Sequence, residues 1–140
     1  MKGLYRGFCR NENGTETIVL NGEKIKGEWV QGSYIFAHKW NWDGSEGHLI
    51  CNIYGTDKVQ VIPETVCEAV RGLTDRNGKQ VFEGDIFKNG SYPLAEVKYN
   101  QKFWEWSAKD FGGFEDKINE FDVDEVIGTI FDEQFAEQGQ

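Results

Sequence analysis

A chain of 140 residues with 39% hydrophobic residues has the size of one ordinary domain or of two small subdomains, and its composition excludes wholesale disorder. The 14% aromatic content and 17 glycines, beside only 2 prolines, favour short β-strands joined by tight turns. Apolar runs are too short to cross a bilayer and the start lacks a signal-peptide stretch, so we expect a cytoplasmic protein with no membrane partner.

The net charge of −9 lies entirely in the last part of the chain. From Asp110 to the end there are ten acidic residues and one basic residue, Lys117, whereas the first 109 residues are neutral. No cluster of lysine and arginine that could neutralise a phosphate backbone occurs, which disfavours sequence-independent binding of DNA or RNA. The acidic segment could imitate nucleic acid or bind a basic protein, or it could be a solvated face that aids solubility.

Short runs of β-branched and aromatic residues recur along the chain and predict strands. They lie at 15–20, 26–36, 59–62, 81–82, 86–87, 95–99 and 126–131. Four Asn-Gly dipeptides begin at residues 13, 21, 77 and 89. They predict hairpin turns, because asparagine and glycine best tolerate the positive φ of a type I′ turn. The pattern predicts a mainly β fold, arranged as a meander or a barrel.

One stretch, Phe111–Phe121, differs from the rest because Phe114, Ile118 and Phe121 recur at helical spacing. These residues would share one face of a helix of about three turns, although two glycines stand at its start. So short a helix depends on packing, and an ordered loop is equally open. The fold therefore has at most one short helix.

Pro63 predicts a boundary between two hairpin-rich blocks, because proline biases the preceding residue to an extended conformation. We predict an N-terminal β-rich subdomain over residues 1–66 and a C-terminal β subdomain over residues 67–132. Residues 133–140 have little to bury beyond Phe135, so we predict a frayed tail there.

Five blocks stand in order along most of the chain: Tyr5–Gly7, Gly27–Tyr34, Val61–Val66, Arg71–Ile86 and Val126–Phe131. Together they resemble the YopX family of proteins encoded by phages and prophages. The run Arg71–Ile86 is similar to the family's Gly-Leu-x-Asp-x-Asn-Gly-x-x-Ile-Tyr-Glu-Gly-Asp-Ile signature. Two regions depart from the family pattern, an insertion from about residue 12 to 26 and the acidic stretch from 110 to 124.

The resemblance implies an SH3-like barrel in the C-terminal subdomain, beside a β-rich N-terminal part. The strand, Gly-Asp turn and second strand within residues 81–87 favour the same kind of small barrel. The resemblance also implies a phage or prophage protein of unknown activity in the cytoplasm of a bacterial host.

The polar residues of the run Arg71–Ile86 have roles in two turns, which predicts a structural motif rather than a catalytic one. A carboxylate in the first turn can accept hydrogen bonds from nearby backbone N–H groups. A glycine in the second turn can take a conformation closed to other residues. The predicted turn residues are Asp75, Asn77, Gly78, Glu83, Gly84 and Asp85.

Patterns for catalysis and for metal binding are weak in this sequence. His38 and His48 are the only histidines, and neither lies in a nucleophile elbow or a metalloprotease helix. The spacing of His48 and Cys51 could seed a zinc site, but no second motif supplies the missing ligands. Cys9, Cys51 and Cys67 form no even framework and are interpreted as small buried apolar residues. We predict no catalytic residue, no metal and no cofactor.

Two pairs of tryptophans, Trp40 with Trp42 and Trp104 with Trp106, predict an interaction surface. In a strand, Trp104 and Trp106 would share one face of the sheet, opposite Phe103. Either these rings form the core of a small β domain, or some of them face outward and mark a protein interface.

The sequence therefore favours a non-enzymatic accessory protein that acts through protein contacts, with a protein partner or by self-association. The acidic segment 110–125 would then tune the choice of partner. A nucleic-acid-associated SH3-like module is the alternative. It requires four basic residues to converge on one face: Arg71, Arg76, Lys79 and Lys88.

Overall fold

The computed structural model describes residues 3–51 and 57–135, and it is mainly β, as predicted. Its contacts divide the chain into two compact units, residues 1–69 and residues 70–140. The predicted domains, 1–66 and 67–132, stay a prediction, because a compact unit is not by itself a domain that folds alone. Each unit is described separately below.

The first unit is an antiparallel sheet in the order β5-β4-β3-β1-β6, with β2 beside β3. Strand β6 begins in this unit, where it pairs with β1, and continues into the second unit. A single 3₁₀ turn at Pro63–Thr65 precedes β6 within the described residues of this unit. The strands are β1 (Tyr5–Arg10), β2 (Glu16–Leu20), β3 (Glu23–Ala37), β4 (Gly47–Cys51), β5 (Lys58–Gln60) and β6 (Cys67–Thr74).

The insertion from about residue 12 to 26 forms the β2–β3 hairpin. Leu20 pairs with Glu23 across a two-residue turn, Asn21-Gly22, in which φ is +52° and +80°. These are the two positive values of a type I′ turn. The hairpin lies close to β1, as Gly27 shows. A side chain at this position would overlap the carbonyl group of Cys9. The prediction of a type I′ turn at this Asn-Gly pair is confirmed.

The core of the first unit comes from buried apolar residues of these strands. Successive side chains in a strand point to opposite faces, and the successive residues Leu49 and Ile50 are both buried, so β4 is covered on both faces. The largest fully buried side chains there are Phe8, Ile18, Leu49 and Ile50. Of the three cysteines, Cys67 is buried as expected, whereas Cys9 and Cys51 are only half-buried.

The second unit holds the rest of β6, its neighbour β7, and a five-stranded antiparallel sheet in the order β11-β10-β9-β8-β12. Its core is formed by Val70, Val81, Phe87, Ala95, Val97, Ala108, Phe121 and Val126. The SH3-like barrel stays a prediction, since the strand order is an open path from β11 to β12. The strands are β7 (Gln80–Phe82), β8 (Asp85–Asn89), β9 (Tyr92–Asn100), β10 (Glu105–Asp110), β11 (Glu115–Lys117) and β12 (Glu125–Thr129).

The stretch Phe111–Phe121 is an ordered loop with a short strand. Of the two alternatives, a short helix and an ordered loop, the loop is therefore the one that the structure shows. The Asp110 carboxylate accepts a hydrogen bond from the Phe114 N–H at 2.9 Å, and Gly113 has φ of +100°. That turn reverses the chain into β11, and a 3₁₀ turn at Ile118–Glu120 follows. Pairing with β10 satisfies backbone groups that a helix would have bonded internally.

The predicted frayed tail, residues 133–140, falls partly outside the described residues. In the described part, Phe135 is buried and its N–H donates to the Asp132 carbonyl at 2.9 Å. Residues 136–140 lie outside the described part of the chain.

Candidate contact surfaces

The turn between β6 and β7 is organised by Asp75, which is only 5% exposed. One carboxylate oxygen accepts hydrogen bonds from the N–H groups of Asn77 and Lys79, both at 2.9 Å. The other oxygen accepts from the Val126 N–H at 3.0 Å, which ties the turn to β12. The Val126 hydrogen bond, joined by those from Lys79 and Asn77, lowers the pKa of the Asp75 carboxyl against the effect of burial. Gly78 completes the turn with φ of +81°.

The turn between β7 and β8 is built the same way around Asp85. This residue is fully buried, and its carboxylate accepts a hydrogen bond from the Phe82 N–H at 2.8 Å. Gly84 has φ of +84°, while Glu83 beside it is half-buried. Asp75, Asn77, Gly78, Glu83 and Gly84 therefore lie in or beside these turns, while Asp85 is the first residue of β8. Both aspartates accept hydrogen bonds from backbone N–H groups.

Trp104 does not lie in a strand, so the prediction that Trp104 and Trp106 share one face of a strand is wrong. Asn100 pairs with Glu105, and the four residues between them, Gln101–Trp104, form the β9–β10 turn. The Asn100 side chain accepts hydrogen bonds from the N–H groups of Lys102 at 3.0 Å and Phe103 at 3.4 Å. A local side-chain bond of this kind competes with strand pairing, which ends the ladder at Asn100.

The rings of the β9–β10 turn face in different directions. Trp104 is 80% exposed and has φ of +54°, and Phe103 is also exposed. Trp106 is half-buried, packs on the core and contacts Tyr99 edge-on, with 5.1 Å between ring centroids. A cavity of about 500 Å³ beside the turn is lined by Phe103 and by polar residues of β10 and β11. We call Phe103 and Trp104 with this cavity the aromatic turn.

Trp40 and Trp42 lie in the loop between β3 and β4 of the first unit, and both are exposed, Trp42 completely. Phe36 at the end of β3 is exposed as well. The two tryptophan pairs thus belong to different units of the chain. A single contact surface formed by all four tryptophans stays a prediction.

Two exposed rings of the second unit were missed by the reasoning from sequence, Tyr92 and Phe114. Together with acidic residues they line a groove of about 400 Å³. Tyr92 had no aromatic neighbour in the sequence to single it out. Phe114 stands in the acidic stretch, where its spacing predicts the apolar face of a helix, whereas the structure leaves it 58% exposed.

His48 is engaged by other side chains of the first unit. Its Nδ1 lies 2.5 Å from the Tyr34 hydroxyl, in a hydrogen bond, and its ring packs on Phe36 with 5.1 Å between centroids. Within residues 3–51 and 57–135, no group of three or more His, Cys, Asp or Glu side chains could hold a metal ion. The zinc site considered for His48 and Cys51 therefore lacks further ligands in the described part of the chain.

Two of the four basic residues required by a nucleic-acid module are paired with carboxylates. Arg76 lies 2.6 Å from Asp124, and Lys88 lies 3.4 Å from Glu125, its partner across β8 and β12. A cation that already neutralises a carboxylate contributes less to phosphate binding. No observation on these basic residues favours binding of nucleic acid, and the nucleic-acid-associated module stays a prediction.

These features define a small protein of two antiparallel β units, with exposed aromatic rings in its turns. The family model described as YopX protein matches residues 5–134. The chain therefore belongs to the YopX family, which confirms the resemblance of the five sequence blocks, and this membership fits a phage-associated protein. No curated protein and no solved structure matches the chain. Among the described residues, no helix is long and apolar enough to cross a bilayer.

Proposed function

We propose that this chain is a phage or prophage accessory protein without enzymatic activity, and that it acts through protein contacts made by the aromatic turn. Membership of the YopX family supports the association with phages. The exposed aromatic turn supports the contact role, because large exposed rings beside a cavity are typical of surfaces that another protein covers.

The conformation of Trp104 is the observation that carries the proposal. Its φ of +54° is unfavourable for a residue with a bulky side chain, by about 1–2 kcal/mol. An indole that is 80% exposed gains little from its own fold in return. Unfavourable backbone conformations of this kind concentrate at functional sites, and tryptophan is enriched among the residues that dominate binding energy at interfaces.

The surroundings of Trp104 suit a protein partner. Phe103 adds a second exposed ring, and the ammonium group of Lys102 lies 5.5 Å from the centroid of that ring. The polar lining of the adjacent cavity, contributed by Glu105, Ser107 and β11, offers hydrogen-bonding groups around the two rings. An apolar centre with a polar rim is the usual arrangement of a protein interface.

Replacement of Trp104 by glycine separates contact from stability. Glycine adopts positive φ freely, so we expect Trp104→Gly to leave the free energy of unfolding unchanged or to raise it by up to about 1 kcal/mol. Association should be lost at the same time. Size-exclusion chromatography with light scattering measures self-association, and quantitative co-purification from the bacterial host measures association with a partner.

Gln101→Gly is the matched control, because it places glycine in the same turn and leaves both rings intact. Trp42→Gly reports separately on the first unit. The proposal is overturned if Trp104→Gly behaves like wild type both in self-association and in every co-purified protein.

A further inference from the structure

A second surface of the second unit combines exposed rings with carboxylates. Its cavity has a volume of about 400 Å³. None of the residues that line it belongs to the aromatic turn. We call it the acidic groove, and its residues are Asn89, Tyr92, Asp110, Phe114, Glu120, Phe121 and Asp122.

The base of the acidic groove is a ring anchored in the core. Phe121 is buried and contacts Phe87 edge-on, with 6.1 Å between the ring centroids. Phe114 packs against Phe121 at 5.9 Å but is itself 58% exposed. Tyr92, at the start of β9, is 69% exposed. The groove therefore presents two open rings on a fixed apolar base.

The backbone around the carboxylates is fixed as well. Asp110 is buried, and one of its oxygens accepts a hydrogen bond from the Phe114 N–H at 2.9 Å. The Asp122 N–H donates to the Asn89 side chain at 3.0 Å, while the Asp122 carboxylate is exposed. Glu120 is exposed at the end of the 3₁₀ turn.

Among residues 3–51 and 57–135, no basic side chain neutralises the negative charge of the groove. Within the described residues, none of the three carboxylates of the groove forms an ion pair, and no lysine or arginine lines the cavity. The neighbouring Asp124 and Glu125 differ, because they are paired with Arg76 and Lys88. The acidic stretch thus divides into a compensated part and an uncompensated part, and the uncompensated part surrounds the open rings.

We propose that the acidic groove binds an arginine side chain of a partner protein. A guanidinium group is planar and always charged, so it can stack on an aromatic ring while its N–H groups bind a carboxylate. A lysine ammonium group lacks the flat face and the paired donors. The charge of the groove repels phosphate groups and anionic lipids, which leaves a basic protein segment as the occupant. This inference rests on the proposed function only in that the partner is a protein.

The probe is a fluorescein-labelled peptide of four Gly-Arg repeats, with a Gly-Lys peptide of equal length beside it. Fluorescence anisotropy is measured at about 0.15 M salt, where exposed charges more than about 8 Å apart are largely screened. We expect the arginine peptide to bind more tightly than the lysine peptide. Equal affinity of the two peptides would overturn the assignment to arginine.

Two sets of variants test the location. Glu120→Gln with Asp122→Asn should weaken the arginine peptide at least fivefold, and Tyr92→Leu should weaken it about two- to fivefold through loss of one cation–π contact. The matched control, Glu12→Gln with Glu64→Gln, removes the same net charge from exposed positions of the first unit and should change affinity less than twofold. Equal weakening by the two double variants would show general electrostatic attraction and overturn the site.

Binding of the arginine peptide to the acidic groove does not depend on the aromatic turn. Trp104→Gly should bind the arginine peptide as wild type does, because Trp104 does not line the groove. Loss of association in Trp104→Gly with intact peptide binding supports both proposals. Intact association in that variant counts against the aromatic turn alone, and unchanged peptide binding in the groove variants counts against the groove alone. Urea unfolding of each variant confirms that it is folded.

Discussion

Two turns of the second unit use the same side-chain chemistry and end in opposite environments. Asp75 begins the β6–β7 turn and Asn100 begins the β9–β10 turn, and each accepts hydrogen bonds from two backbone N–H groups close behind it. Asp75 has a second carboxylate oxygen that reaches β12 and is buried. Within the described residues, the Asn100 side chain bonds only to N–H groups of its own turn, and the rings of that turn are exposed to solvent. The local motif therefore specifies where the chain reverses, and a distant partner decides whether the turn joins the core.

Of the substitutions in these two turns, Asp75→Ala is expected to change the free energy of unfolding most. Asp75→Ala leaves the Val126 N–H and two turn N–H groups without their acceptor, and all three of these hydrogen bonds are partly or fully buried. We expect the free energy of unfolding to fall by about 3 kcal/mol or more. Urea denaturation followed by circular dichroism measures it. A loss below about 1 kcal/mol would mean that β12 does not depend on this carboxylate, and the contrast between the turns would disappear.

The charge on Asp75 predicts how the contrast changes with pH. The pKa of this carboxyl is lowered from its ordinary value of 3.8, first by the Val126 hydrogen bond. A group whose pKa is lower in the folded state stabilises the fold at pH values above 3.8. That stabilisation is lost as pH falls through the folded-state pKa. NMR titration of the carboxyl carbon should give a midpoint below 3.8, and the stability gap between wild type and Asp75→Ala should narrow on acidification. A midpoint at or above 3.8 would contradict the role of the backbone hydrogen bonds.

The smallest effect is expected at Asn100. Asn100→Ala removes two hydrogen bonds to exposed N–H groups that water can replace, one of them long at 3.4 Å. We expect the free energy of unfolding to fall by at most about 1 kcal/mol. Association should fall as well, because the turn that holds Trp104 outward loses its internal support. Urea denaturation and light scattering on one preparation measure both. A stability loss as large as that of Asp75→Ala would place this turn in the core.

Turn chemistry explains how much of the fold the sequence could predict. All four Asn-Gly dipeptides lie at or next to chain reversals, but positive φ at both residues occurs only at Asn21-Gly22. At Asn77-Gly78 and Asn89-Gly90 only the glycine has positive φ. The dipeptide reports a reversal reliably, while its type depends on loop length and on side chains such as that of Asp75. These are long-range facts that a two-residue signal does not contain.

The contact surfaces were less predictable, because strand ends decide which side of a sheet a residue occupies. Trp104 and Trp106 have the spacing of one face, yet Asn100 ends β9 early enough to place Trp104 in a turn. The alternation of side chains assigns a face only to residues inside a strand, so the strand boundary has to be known before the exposure of Trp104 can be predicted. The acidic groove depends on Tyr92 and Phe114, which lie far enough apart in sequence that only the folded sheet brings them to one cavity.

The bond between Asp75 and Val126 also gives the protein an order of assembly during synthesis. Its two ends are 51 residues apart, a length that a ribosome adds in about 3–10 s. Throughout that interval all residues of the first unit have been synthesised, but the Asp75 carboxylate still lacks its hydrogen-bond donor, the Val126 N–H of β12. A nascent chain that stalls or is cut before residue 126 consequently carries an unfinished second unit, with apolar strand surface open to chaperones and proteases.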